Sequence, residues 1–221
     1  MRFKNRRFAG QVLAKELADY SNRPDVLVLG LPRGGVPVAF EIAKALNAPL
    51  DVLVVRKLGV PDQEELAMGA IASGGVRILN EYIISLVKIS DEVIARVAVQ
   101  EERELERREL LYRSNRPLPN LQRRTVILVD DGLATGATMW AAVVAVRKHQ
   151  PAQIVIAIPV AAPKTCHKLE AEVDKIVCVE TPSAFQSVSL WYENFPQTTD
   201  KEVCDLLAKA KKNGEAISLG I

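Results

Sequence analysis

Short, wholly apolar runs rich in β-branched residues recur along the chain and leave few folds open to it. Val26–Gly30 reads VLVLG, Thr125–Val129 reads TVILV, and 154–159 reads IVIAIP. A strand with one wet face alternates apolar and polar residues. A strand covered on both faces is apolar throughout, as in a parallel sheet between two helical layers. Stretches of helical periodicity separate these runs, at 6–20, 36–46, 90–112, 137–148, 163–172 and 200–211. Further strands are predicted at 51–55, 69–73, 76–79 and 175–179. Alternating strands and helices of this kind predict a doubly wound α/β domain, with ligands outside the carboxyl ends of its strands.

The ends of two of these runs carry the chemistry. After Val129 come two adjacent carboxylates, Asp130 and Asp131, and then Gly132, Leu133, Ala134, Thr135, Gly136, Ala137 and Thr138, which lead into a helix. Backbone N–H groups of such a loop and of the helix N-terminus can hold a phosphate, with the threonine hydroxyls as further donors. The carboxylates are acceptors and suit the hydroxyls of a sugar. Together they describe a site for a phosphorylated sugar. A nucleotide-binding P-loop is excluded, because no lysine follows Gly136 and no G-x-x-x-x-G-K-[ST] occurs in the chain. After the first run stand Arg33, Gly34 and Gly35, glycines for close backbone approach beside a guanidinium fork suited to phosphate oxygens.

The stretch VILVDDGLATGAT resembles the signature with which type I phosphoribosyltransferases bind 5-phosphoribosyl 1-pyrophosphate (PRPP). The resemblance covers most of residues 27–159. It implies transfer of phosphoribosyl from PRPP to a nucleobase or related nitrogen acceptor, with release of pyrophosphate and dependence on Mg²⁺. Within it, residues 130–138 hold the sugar and its 5′-phosphate, and Asp130 and Asp131 reach the metal directly or through water. Arg33, Gly34 and Gly35 match the pyrophosphate loop, where a non-proline cis peptide beside Arg33 is expected. The segment RKLGVPDQEELAMGAIASGG at 56–75 looks like the mobile catalytic loop of these enzymes, with Arg56 and Lys57 placed to neutralise the departing pyrophosphate. Its ELAMG pattern and the later WYENFPQTTD resemble a less familiar branch of the family. Where hypoxanthine–guanine enzymes have an aspartate before the Thr-Gly of the loop, this chain has Ala134. A base must then come from elsewhere, with Glu65 or Glu64 as candidates, or not be needed.

Family members cover the acceptor with a hood. Here the resemblance implies a single domain with a core over about residues 24–180. The hood would comprise the N-terminal helix, an inserted helix near 90–113 and the segment 181–211. Aromatic residues make up only 5% of the chain, so Phe185, Trp191, Tyr192 and Phe195 are a concentration, and the last three are the candidates for stacking on a planar acceptor. A homodimer is expected. The alternative class is a regulatory protein that keeps the PRPP site without catalysis, but no helix-turn-helix or strongly basic face accompanies it.

Composition serves mainly to exclude. A formal net charge of +2 is too small to argue for nucleic acid, and the arginines of 103–124 alternate with glutamates as on an ion-paired, solvent-facing helix. No run is long enough to span a membrane, and no apolar stretch of signal-peptide length follows the basic start MRFKNRRFAG. Cys166, Cys178 and Cys204 are odd in number and lack metal-ligand spacing, which fits a reducing cytoplasm.

Overall fold

A computed structural model describes residues 1–114 and 116–218, apart from the side chains of 64, 65 and 213–218. In chain order its elements are α1 (Arg6–Glu16), β1 (Val26–Gly30), α2 (Gly35–Leu46), β2 (Leu50–Val52), β3 (Val55–Val60), β4 (Gln63–Ala72), β5 (Val76–Leu79) and α3 (Glu81–Val87). They continue with α4 (Asp91–Arg113), β6 (Thr125–Val129), α5 (Ala137–Lys148), β7 (Gln153–Val160), α6 (Pro163–Glu170), β8 (Lys175–Glu180) and α7 (Asp200–Ser218).

The apolar runs pair as expected. Five strands form one parallel sheet in the order β2-β1-β6-β7-β8, with Val28 opposite Ile127 and Ile127 opposite Val155. Every residue of β1 and β6 is buried, because helices cover both faces. On one face Leu13 of α1, Leu17 just after it, and Val38 and Ile42 of α2 pack on Val28, Ile127 and Val155. On the other, Met139, Val143 and Val146 of α5 and Leu169 of α6 pack on Leu29, Leu128 and Ile156. From β1 the chain moves outward to β2, then returns to β6 and proceeds to the opposite edge. The sheet therefore has a switch point between β1 and β6, where the loops leaving their carboxyl ends diverge to opposite faces and open a crevice.

The segment 56–75, expected to be a mobile loop apart from the strand at 69–73, is largely an antiparallel ribbon that continues into β5 as a second, three-stranded sheet. Burial explains the difference: Leu58, Val60, Met68 and Ile71 pack against Ile94, Ala98 and Leu105 of α4, giving the ribbon an apolar face of its own. The turn at Asp62 has φ 63°, and the register shifts on either side of Gly59. The strand expected at 51–55 divides between β2 and the start of β3, and α1 ends at Glu16 ahead of a 3-10 turn at Ala18–Tyr20. The parts expected to form one hood pack in two places. Helix α4 joins α7 and the ribbon, whereas the N-terminus joins residues 185–195 around Phe3 and Tyr192. Among the described residues no helix is long and apolar enough to cross a membrane.

Candidate functional site

The loops leaving β1 and β6 interlock at the switch point. The amide of Leu31 donates to the carbonyl of Val129 at 2.8 Å, carrying the β1 loop across the end of β6. A Cβ on Gly35 would stand 2.5 Å from the Val129 carbonyl oxygen and 2.9 Å from Cα of Asp130; one on Gly34 would stand 2.0 Å from Oδ2 of Asp131. Only residues without side chains let this loop lie against the acidic pair. The peptide between Pro32 and Arg33 is cis, as the resemblance implies. Arg33 is half-buried, and its guanidinium makes no hydrogen bond or ion pair with the described residues, which leaves its fork open to an anion.

The acidic pair divides its oxygens evenly. Oδ1 of Asp130 accepts the amide of Asp131 at 2.8 Å, and Oδ2 of Asp131 accepts Nε of Arg6 at 2.7 Å. The second oxygen of each carboxylate has no hydrogen-bond partner among the described residues. Removal from water, reinforced by the neighbouring Asp131, holds the Asp130 carboxyl well above the usual range. Burial raises Asp131 as well, but the Arg6 guanidinium opposes it. Two carboxyl groups, each with one oxygen free and one of them inclined to keep a proton, are suited to neutral hydroxyl donors and to a cation.

The β6–α5 loop is pinned on the side away from the crevice. Leu133, 3% exposed, donates its amide to Val160 and accepts from Ala162, both at 2.9 Å. Thr165 of α6 donates its hydroxyl to the Ala134 carbonyl at 2.6 Å, which gives the alanine position a structural partner. Gly136 precedes α5 with φ 78°, and a Cβ there would stand 2.5 Å from the Thr165 methyl. Beyond this anchor, the amides of Ala134, Thr135, Gly136, Ala137 and Thr138 have no hydrogen-bond partner among the described residues, and both threonines are exposed. Five free amides at a helix N-terminus make an anion cradle.

The ribbon separates the two cations that the sequence places together. Successive strand residues face opposite ways. Arg56 therefore shares the face of Leu58 and pairs with Glu101 of α4 at 2.6 Å. It fastens β3 to α4 here, on the face opposite the one expected to meet pyrophosphate alongside Lys57. Lys57 faces the other way and lines a cavity of about 230 Å³ together with Asn80, Thr135, Thr138, Trp140 and Lys168. The side chains of Glu64 and Glu65 lie outside the described residues.

The aromatic candidates also need correction. Tyr192 is 2% exposed, with ring centroids 5.6 Å from Phe3 and 4.7 Å from Phe195, so it offers no face to an acceptor. Its hydroxyl donates to the Asp131 carbonyl at 2.5 Å, and burial raises its pKa. One face of Phe195 is taken by the Arg6 guanidinium, 3.7 Å from the ring centroid, and Trp191 is half-buried in the same cluster. These residues brace the acidic pair from beneath. Arg6, which does the same from α1, is the participant that sequence reading misses; its only trace is the basic run at 2–7.

Comparison with known proteins gives the family. Residues 3–193 match the family described as phosphoribosyl transferase domain. Relatives from two strains of Mycobacterium tuberculosis, provisionally named phosphoribosyl transferases, are 45% identical over 211 residues, which is 96% of this chain and 47% of theirs. The chain thus spans about half the length of these curated relatives. Among solved structures, TT1426 from Thermus thermophilus is 40% identical, with a TM-score of 0.83 over 95% of this chain and 99% of that one. AQ2163 from Aquifex aeolicus, at 16% identity and a TM-score of 0.53 over 91% of this chain and 84% of that one, shares the fold.

Proposed function

Because the chain belongs to the phosphoribosyl transferase family, we propose that it moves the 5-phosphoribosyl group of PRPP onto a ring nitrogen of a nucleobase-like acceptor. The bond from C1 to the pyrophosphate oxygen breaks, a bond from C1 to nitrogen forms, pyrophosphate leaves, and the nitrogen loses its proton. The observation that carries this reading is the pairing of two free carboxylate oxygens with five free amides on one loop.

In this assignment the amides and hydroxyls of 134–138 hold the 5′-phosphate at the N-terminus of α5. The open oxygens of Asp130 and Asp131 accept the ribose hydroxyls, and their negative charge favours the cationic sugar that develops as pyrophosphate departs. Arg33 holds the pyrophosphate, with Gly34 and Gly35 letting it approach the sugar pair. Lys57 is the ribbon cation on the side of the phosphate loop. The carboxylate oxygens of Asp130 and Asp131 fit a hard cation such as Mg²⁺, and these two residues would hold it, directly or through water. When bound, the ion neutralises charge building on the leaving group.

With Ala134 held by Thr165, no carboxylate stands at that point of the loop to take a proton from the acceptor. An acceptor acidic enough to lose its proton to water fits better than one that needs a protein base. The regulatory reading gains one point, since Arg56 is engaged by Glu101. A panel of nucleobases incubated with the full chain, PRPP and Mg²⁺, with pyrophosphate release followed, separates the two. Turnover with any acceptor establishes transfer; tight PRPP binding with no turnover across the panel favours the regulator.

A further inference from the structure

Arg6 meets three partners at once. Its Nε donates to Oδ2 of Asp131 at 2.7 Å, its Nη1 donates to the carbonyl of Pro196 at 2.6 Å, and its guanidinium lies 3.7 Å from the centre of the Phe195 ring. The side chain is 11% exposed and that of Asp131 16% exposed, so the pair is sheltered from screening. It joins three stretches distant in sequence: the first turn of α1, the end of β6 and the segment that follows Tyr192. The backbones of the last and the first are themselves sewn together, Phe3 N to Trp191 O and Glu193 N to Phe3 O, each at 2.8 Å. A structural anchor alone would be satisfied by the ring and the carbonyl. The third contact goes to a carboxylate oxygen of the sugar pair and occupies it.

We propose that Arg6 is a positioning residue for the sugar site: by holding Oδ2 of Asp131 it turns Oδ1 to the ribose, and it makes that orientation depend on the terminal segments being docked. This rests on reading Asp130 and Asp131 as the ribose holders. Without Arg6, the Asp131 carboxyl loses the partner that fixes its Oδ2 and is free to rotate. It is faced by Asp130 from its own strand end, by Arg6 from α1, by the Tyr192 hydroxyl from the C-terminal segment and by Gly34, which brings no side chain. Arg6 is the cation in contact with it. A fork is required, since the single ammonium of a lysine cannot serve Asp131 and the Pro196 carbonyl in the same geometry.

The test is a double-mutant cycle on the full chain, reading the affinity for PRPP with Mg²⁺ by calorimetry. Arg6→Met should weaken PRPP on the order of tenfold, while inorganic pyrophosphate binding, assigned to Arg33, stays unchanged. In an Asp131→Asn background the same substitution should cost nothing more. Arg6→Lys, which keeps the charge on α1, carries the same cycle if Arg6→Met does not fold: it should weaken PRPP by roughly threefold, and that loss too should vanish with Asp131→Asn. A loss that persists undiminished in the Asp131→Asn background would overturn the role and leave Arg6 a structural anchor. If Asp131→Asn alone leaves PRPP affinity intact, the ribose assignment itself fails, a result distinct from either outcome at Arg6.

Discussion

The crevice between β1 and β6 and the ribbon of β3 and β4 are built on opposite terms. In the crevice, backbone meets backbone: Leu31 is bonded to Val129, Leu133 to Val160 and Ala162, and two glycines lie where no side chain fits. The ribbon is tied by side chains on one face, with Arg56 on Glu101 and Leu58 among the residues of α4, and its far end carries an irregular register. A group that must present several amides to one anion needs fixed backbone, because its donors cannot be re-aimed once the ligand arrives. A segment that must move over a ligand needs the reverse, a rigid strand pair with a loosely held tip.

If the crevice is the fixed half, its charges should matter most. Asp130→Asn with Asp131→Asn should weaken PRPP by about 3–6 kcal/mol, two hydrogen bonds to charged acceptors lost together, as calorimetry would show. The same change tests the electrostatics. A carboxyl held above its ordinary range binds more protons in the folded than in the unfolded chain, so stability falls as pH rises through the interval between those values. Asp130→Asn removes that penalty. The variant should melt at a higher temperature than the parent near neutral pH, and the advantage should fade on acidification below the ordinary carboxylate range. A variant that melts lower at every pH would mean that the pair is structural.

Gly35→Ala probes the interlock without touching charge. Its Cβ meets backbone atoms that cannot swing aside, so denaturant unfolding should show a loss of about 2–3 kcal/mol; a neutral result would mean that the two loops can part. Arg33→Ala should cost pyrophosphate about 1.5–3 kcal/mol and leave a nucleoside 5′-monophosphate nearly unaffected, and equal losses would reverse the loop assignments. The smallest signal belongs to the ribbon. Amides of residues 57–63 should gain hydrogen-exchange protection with PRPP and Mg²⁺ and not with a nucleobase alone. Protection already high in the free chain would make the ribbon as fixed as the crevice and remove the contrast.

The crevice is legible from sequence because its physics is local. An apolar run, two acids, small residues and a helix follow one another without a break, and each dictates its neighbour's geometry. The ribbon is half legible: its residues stand out, but Val-Arg-Lys-Leu-Gly-Val lacks the alternation that marks a strand, since Arg56 stands at a position facing protein. Period two would still put Arg56 and Lys57 on opposite faces. The aromatic segment misleads because a cluster of rings has the same composition whether it faces a ligand or another part of the chain. What decides is Phe3, at the far end of the sequence, and Arg6 beside it; no local pattern announces that pairing.

The Cβ that Gly34 lacks would stand 2.0 Å from an oxygen of Asp131, and this near-contact bears on how such a protein can be altered. The two loops are one steric unit. A chimera that took its β6–α5 loop from one parent and its β1–α2 loop from another would keep both recognisable motifs and still fail wherever the second parent carries a side chain at position 34.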